Sequence, residues 1–344
     1  MTSSAQLETL LAIWLFVVGA CIGSFLNVVI ARLPNDESLV RPRSKCPSCQ
    51  SPIAWYDNVP LVSWLVLRGR CRKCGARISF RYFLVELLTG VLFMLALWRF
   101  GWAWPLVPAL LLVCLLVPLV VIDAEHWILP FEITVPGTVL GVLLAVPSGR
   151  AALDTAALGA AMGFLSFRAL EYFGFLAFKR EAMGGGDKFL VALIGAFLGW
   201  KALLGLIFLS SLQGAVFGLA RIALTGRAGP APEAPGAQQQ PGPDGKPLEE
   251  AEDPPATMTW DFARPGVPLW KRLVLVPWCL LFQPIPDAIE DEETGEEEEW
   301  VPGPSNLPFG PWIGLSALEL LFFGQWLAER LPIAGAGVLF GGGA

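Results

Sequence analysis

Charge and histidine are the scarcest features of this sequence. Only 16% of its 344 residues are Asp, Glu, Lys or Arg, against about 25% in ordinary soluble domains, while 54% are hydrophobic. That balance disfavours a water-soluble domain and excludes a disordered chain. Histidine occurs once, at His126, so a histidine-ligated metal site has no second ligand and the residue reads as an interfacial side chain. Seven cysteines are too few for a disulfide-dense secreted scaffold, no collagen-like triplet is present, and no internal repeat is evident. Basic residues are missing ahead of Arg32, and Glu8 is acidic, so the first apolar run lacks the start of a cleaved signal peptide. Val18-Gly19-Ala20-Cys21 has the look of a lipoprotein cleavage site, but the run continues to Ile30 and reads as an uncleaved helix.

Long apolar runs dominate instead. A helix crosses the hydrocarbon with about 20 mostly apolar residues, because it rises about 1.5 Å per residue over about 30 Å. Candidate spans fall at 8–30, 83–100, 105–122, 133–148, 152–177, 189–200, 202–224 and 312–329, the sixth being short. Glycines such as Gly19, Gly23, Gly159, Gly163 and Gly195 sit inside these runs, which suits close helix packing in lipid. Lys and Arg are retained in cytoplasmic loops, and the ten between Arg32 and Arg81 place that loop inside. Lys179, Arg180 and Lys188 mark a second cytoplasmic loop, and Arg221 with Arg227 a third; Arg99, Arg150, Lys201 and Arg330 stand nearly alone at the opposite ends.

The expected fold is therefore an all-α polytopic membrane protein of about eight transmembrane helices with a small cytoplasmic zinc-binding domain built on four cysteines. Residues 1–30 form the first span, 31–82 the four-cysteine domain, 83–225 the membrane core and 307–344 the last span with its tail. Residues 226–306 turn to Pro, Gly, Gln and Glu, and positions 227–305 hold five basic against sixteen acidic residues. Such composition cannot bury enough apolar area to offset its ordering entropy, so a mostly disordered cytoplasmic insertion is expected. Within it, Pro268–Phe282 carries ten consecutive largely apolar residues, too few to span, and reads as a stretch lying in the interface or folding back.

The four cysteines form Cys46-Pro-Ser-Cys49 and Cys71-Arg-Lys-Cys74. Each pair folds two sulfurs toward one point, and two such turns supply the four soft ligands that tetrahedral zinc prefers. Redox dithiols, unmetallated thiols or disulfides are the alternatives, disulfides being disfavoured in a reducing cytosol. Four protein ligands leave no open position for a catalytic water, so the zinc would be structural. Cys21, Cys114 and Cys279 lie in apolar runs and read as packing residues.

An ionisable side chain at the edge of a membrane is costly and marks a functional site by default. Asp123 closes the run Leu110–Ile122, and Asp187 closes Gly184-Gly185-Gly186 and opens Phe189–Trp200. The charge-derived sidedness puts both at one cytoplasmic depth. Two carboxyls brought close share a proton, so one can act as base on a water while its protonated partner polarises a peptide carbonyl. This suggests peptide hydrolysis without a covalent intermediate. Gly184, Gly185 and Gly186 would let an extended substrate lie along bare backbone. Asn27, Glu86 and Arg168 are further polar groups in or near spans, open between helix-to-helix bonding and a site role.

With these residues in view the chain resembles the type IV prepilin peptidase family, the bifunctional leader peptidases and N-methyltransferases of pilus and type II secretion systems. The resemblance is carried by Gly23–Pro34, Cys46-Pro-Ser-Cys49, Asn58-Val-Pro60, Ser63-Trp64-Leu65, Leu67–Cys71, Ile78–Tyr82 and Val85-Glu86-Leu87. It continues through Ile122-Asp123, Leu129-Pro130, the GxGD motif at Gly184–Asp187, Gly195–Trp200 and Pro308-Phe-Gly-Pro311. What the resemblance implies is an aspartic peptidase whose catalytic acids fall on Asp123 and Asp187. It would cut the short basic leader of a prepilin or pseudopilin at the bacterial inner membrane and methylate the new amino terminus from S-adenosylmethionine. The cysteine-bearing loop is associated with the methyl-transfer half; the residues that hold the methyl donor do not follow. Expected partners are prepilin substrates, membrane lipid and pilus or secretion assembly-platform proteins, with no nucleic acid. The chain departs from the family pattern at Phe131, at Lys188 and in its acidic insertion. A GxGD intramembrane protease for other signal peptides, a zinc-containing scaffold and an ion-coupled transporter remain open on the residues alone.

Overall fold

A computed structural model describes residues 2–41, 43–178, 184–226 and 307–330. Most of the acidic insertion, including Pro268–Phe282, and Cys279 lie outside these described residues. Within them the chain is helical, without strands apart from two isolated bridges, Lys45 to Pro52 and Arg70 to Arg77.

Among the described residues, eight helices of 12 or more residues occupy the apolar runs: α1 (Thr2–Arg32), α3 (Phe80–Phe100), α4 (Leu106–His126), α5 (Phe131–Ala145), α6 (Arg150–Phe178), α7 (Asp187–Leu198), α8 (Ala202–Thr225) and α9 (Gly310–Arg330); a short α2 (Val62–Val66) lies in the loop after α1. Among the described residues, five apolar segments are long enough to cross a membrane: Gln6–Asn35, α3, α4, Phe131–Ser148 and α8. The chain is a membrane protein. Helix α7, with 12 residues, spans only about 18 Å. Arg150, Asp154, Arg168 and Glu171 dilute the apolar character of α6, as do Glu319, Glu329 and Arg330 in α9.

The chain divides into two compact units. The first comprises Met1–Ser166, Gly186–Gln213 and Pro308–Ala344, and the second Phe167–Gly185 and Gly214–Leu307. In the second unit, Arg168 donates to Glu171 at 2.8 Å, a paired and largely buried ion pair on α6. In the first, α4 and α7 lie at the centre. Leu112, Val113, Leu116, Leu119 and Ile122 of α4 are fully buried, and ten of the twelve residues of α7 are buried. Helix α4 packs against α1, α3, α5, α7 and α9, and α7 against α5 and α9.

Lipid tails are as apolar as leucine, so helices associate in the bilayer through close van der Waals contact, and small residues permit it. Four glycine pairs spaced by four residues serve this end. A Cβ at Gly19 or Gly23 of α1 would come within 2.9 Å of Gly90 or 2.8 Å of the Glu86 backbone on α3. Gly137 and Gly141 bring α5 onto Leu193 and Phe197 of α7. Gly159 and Gly163 bring α6 so near α7 that a Cβ would overlap the carbonyls of Gly195 and Val191. Gly310 and Gly314 bring α9 onto Asp123 and Val120 of α4.

Candidate active site and metal centre

Helix α4 ends just beyond Asp123. Its terminus is closed by Trp127, which adopts the left-handed conformation (φ 59°) and donates its N–H to the Asp123 carbonyl at 3.0 Å. The chain then runs out through Leu129 to Pro130, which precedes the first residue of α5. Asp187 is the first residue of α7, where a carboxylate complements the positive end of the helix dipole. Both aspartates are buried, at 6% and 5% exposure.

Contacts in the first unit knit these two helix ends together. Gly186, the N-cap of α7, lies against Leu129, whose side chain a Cβ at that glycine would meet at 2.7 Å. The ring of Phe131 meets that of Phe189 edge-on at 4.9 Å, and Phe189 meets Phe164 at 5.3 Å. A third helix closes the Asp123 side, where Gly310, the first residue of α9, leaves 2.5 Å between its Cβ position and Asp123 Oδ2. That oxygen is buried and has no hydrogen-bond partner among the described residues. Lys188 is buried too, its ammonium 5.8 Å from the centre of the Phe189 ring. Of the three glycines, Gly186 belongs to this packing, whereas Gly184 and Gly185 are exposed and fall in the second unit.

The four cysteines converge. Their sulfurs all lie within 4.8 Å of one another, none is in a disulfide, and Cys46 and Cys74 Sγ are 3.8 Å apart. Tetrahedral zinc with Zn–S of about 2.3 Å puts its sulfurs about 3.8 Å apart, so the residues fit the metal. Both halves use one backbone design. Cys46 receives the N–H of Gln50 and donates its own to Ser51; Cys71 receives that of Gly75 and donates to Ala76. The residue after each second cysteine turns left-handed, Gln50 at φ 55° and Gly75 at φ 72°. The Ser51 hydroxyl and N–H pull the Cys49 thiol down to about 6. Cys74 receives the Ala76 N–H, yet crowding by Cys49, Cys71 and Cys46 pushes it up to about 11. Four sulfurs this close cannot all carry charge without a cation among them. Arg72, inside the second pair, grips Asp57 with two nitrogens at 2.6–3.0 Å and holds its carboxyl below the usual range.

Comparison with known proteins then decides the family. Residues 17–100 match the bacterial peptidase A24 N-terminal domain and residues 109–219 the type IV leader peptidase family. A prepilin leader peptidase/N-methyltransferase of Myxococcus xanthus is 59% identical over 333 residues, 97% of this chain and 96% of that protein. The chain belongs to the type IV leader peptidase family. Proteins of the same name from Neisseria gonorrhoeae and Pseudomonas aeruginosa are 41% and 38% identical, over 61% and 60% of this chain and 82% and 80% of their own. No solved structure matches it.

In this leader peptidase family member the polar groups of α1 and α3 that stood out in the sequence bond to neighbouring elements. Asn27 donates to the Tyr82 carbonyl at 3.0 Å, and Glu86 accepts the Leu61 N–H at 2.7 Å. Arg81 pairs with Glu125, two residues beyond Asp123. His126 is the last residue of α4. Sequence reasoning assigned no role to Gly310, which lies against Asp123, or to Leu129, which lies against Gly186 just before Asp187. The one available signal was a glycine held between Pro308 and Pro311 at the start of a span.

Proposed function

We propose that this chain removes the basic leader from prepilins and pseudopilins and then methylates the new amino terminus. The observation that carries the reading is the burial of Asp123 and Asp187 at the meeting ends of two contacting helices, in a chain whose relatives are named prepilin leader peptidase/N-methyltransferase.

In the proposed reaction one aspartate takes a proton from water, and the water oxygen attacks the scissile carbonyl carbon. The other aspartate, protonated, donates to the carbonyl oxygen. Collapse of the tetrahedral intermediate breaks the C–N bond: the leaving amine takes the proton that the first aspartate removed from water, and the hydroxyl that re-forms the carbonyl returns its proton to the second aspartate. Gly184, Gly185 and Gly186 accommodate the extended substrate. Preorganised groups in a dry site contribute most where charge develops, which suits two acids at the membrane edge.

Cys46, Cys49, Cys71 and Cys74 would hold zinc, which when bound ties the two turns of the loop into one body. S-adenosylmethionine would supply the methyl group, and the cysteine-bearing loop would serve its transfer, as the family resemblance implies. The count of lysines and arginines supports eight spans, with the loop after α1 and both aspartates facing the cytoplasm across the inner membrane. The acidic insertion would attract basic leaders or an assembly-platform protein. Deleting 230–300 should weaken substrate capture at low salt; unchanged cleavage and association would remove that role.

The test incubates purified protein with a leader-bearing prepilin, with and without S-adenosylmethionine, and reads the product by mass. The expected product lacks the leader and, with the donor present, is heavier by one methyl group. A substrate left at full length contradicts the peptidase reading.

A further inference from the structure

The loop that carries the cysteines reaches α3 through an unusual turn. Leu61 has φ 62° and ψ −50°, and the Val62 N–H donates back to the Pro60 carbonyl at 2.6 Å. This is a γ-turn with positive φ at its centre, a rare and strained form for a residue with a side chain. The Leu61 N–H points at α3, where Glu86 Oε2 accepts it at 2.7 Å. Glu86 is 9% exposed, the Ser24 hydroxyl is a further partner of its carboxylate, and Gly23 lets α1 close over it.

Leu61 is also the N-cap of α2, so the turn aims everything that follows. Trp64 of α2 packs on Phe80 and Phe83 of α3 at 5.6 and 5.2 Å, and Gly69 sits against the same indole. Two residues later comes Cys71, and Arg72 beside it grips Asp57. A chain of contacts thus runs from one membrane-helix carboxylate, through one strained residue, to the cysteine centre.

We infer that Glu86 is a positioning residue for methyl transfer. It holds Leu61 in the strained turn and thereby seats the cysteine-bearing loop on α3, and it takes no part in peptide cleavage. The inference rests on the proposal above that this loop serves methylation.

The experiment uses full-length protein and a leader-bearing prepilin, with cleavage and methylation scored separately by mass. Glu86→Ala should lower methylation about tenfold, the worth of one such hydrogen bond, with cleavage within about twofold of the parent. Glu86→Gln keeps an acceptor oxygen and should retain most methylation. The decisive variant is Leu61→Gly in the Glu86→Ala background. Glycine enters positive φ without strain, so the turn no longer needs its anchor and methylation should recover several-fold. Equal loss of cleavage and methylation in Glu86→Ala would overturn the inference, as would absence of recovery on adding Leu61→Gly, or Glu86→Gln as inactive as Glu86→Ala. Alkylation of the loop thiols separates the two readings. Faster alkylation in Glu86→Ala with unchanged methylation overturns the link between loop and methyl transfer, and the inference with it. No change in either overturns the inference alone.

Discussion

Gly310 leaves 2.5 Å between its Cβ position and Oδ2 of Asp123, so that no side chain fits between the last helix and this carboxylate. Gly314, one turn further along α9, makes an equally close approach to Val120, an apolar neighbour on the same face of α4. The two glycines have one packing role and different neighbours, which makes them a matched pair.

Gly310→Ala should therefore displace the Asp123 carboxylate. Misplacement by about 1 Å can cost on the order of 100-fold in rate, and a loss of that order in kcat is expected, with insertion and KM little changed. Gly314→Ala should destabilise the helix pair comparably while the folded fraction keeps its kcat. Measuring kcat per folded molecule for both checks this, and equal kcat would show that Gly310 has only a packing role.

Gly185 is exposed and a Cβ there would meet nothing within 4 Å. Gly185→Val should leave thermal stability unchanged. Any effect on cleavage then reports contact with substrate, and KM should rise about tenfold, as for loss of about 1.4 kcal/mol of binding. An unchanged KM would remove this glycine from the substrate-binding surface.

Gly159 and Gly195 abut backbone to backbone, so neither neighbour can give way as a flexible side chain would. Overpacking of this kind costs about 1–3 kcal/mol or more. Gly195→Ala should lower the unfolding temperature in detergent and reduce the folded yield, in contrast to the open position at Gly185.

Metal removal should act on the loop and spare the membrane core. Purified protein should contain about one zinc per chain, the number four cysteine ligands accommodate. Cys46→Ser or a strong chelator should abolish it and make residues 31–79 sensitive to protease, because the metal's binding energy is folding energy for such a module. Elemental analysis with limited proteolysis reads both, and protein that never copurifies with metal would contradict the assignment.

Much of this was legible in the amino-acid order because it is local. Apolar runs announced the long helices, and the C-x-x-C spacing announced the cysteine centre, since each ligand pair is set within one turn. The glycines of α1, α5, α6 and α9 were visible, but the helix each would meet was not, because packing partners in lipid depend on complementary surfaces far apart in the chain. The same holds for the site. Asp123 and Asp187 stood out as charges at span ends, whereas the closeness of Gly310 to Asp123 joins positions 187 residues apart and leaves no periodic trace. Leu61 resembles any loop leucine; only the Glu86 carboxylate on another element accounts for its left-handed backbone. Helix α7 was a short apolar run, and the packing of α4, α5 and α9 against it could not be read from the sequence.

The central claim is that two aspartates jointly drive one water onto a peptide bond. The direct test measures cleavage of a leader-bearing prepilin by Asp123→Asn and Asp187→Asn, each shown by circular dichroism and membrane fractionation to be folded and inserted. Both variants should be inactive, with any residual rate at least about a thousandfold down, as expected when one member of a catalytic pair is removed. Either variant cutting at the parent rate would contradict the account.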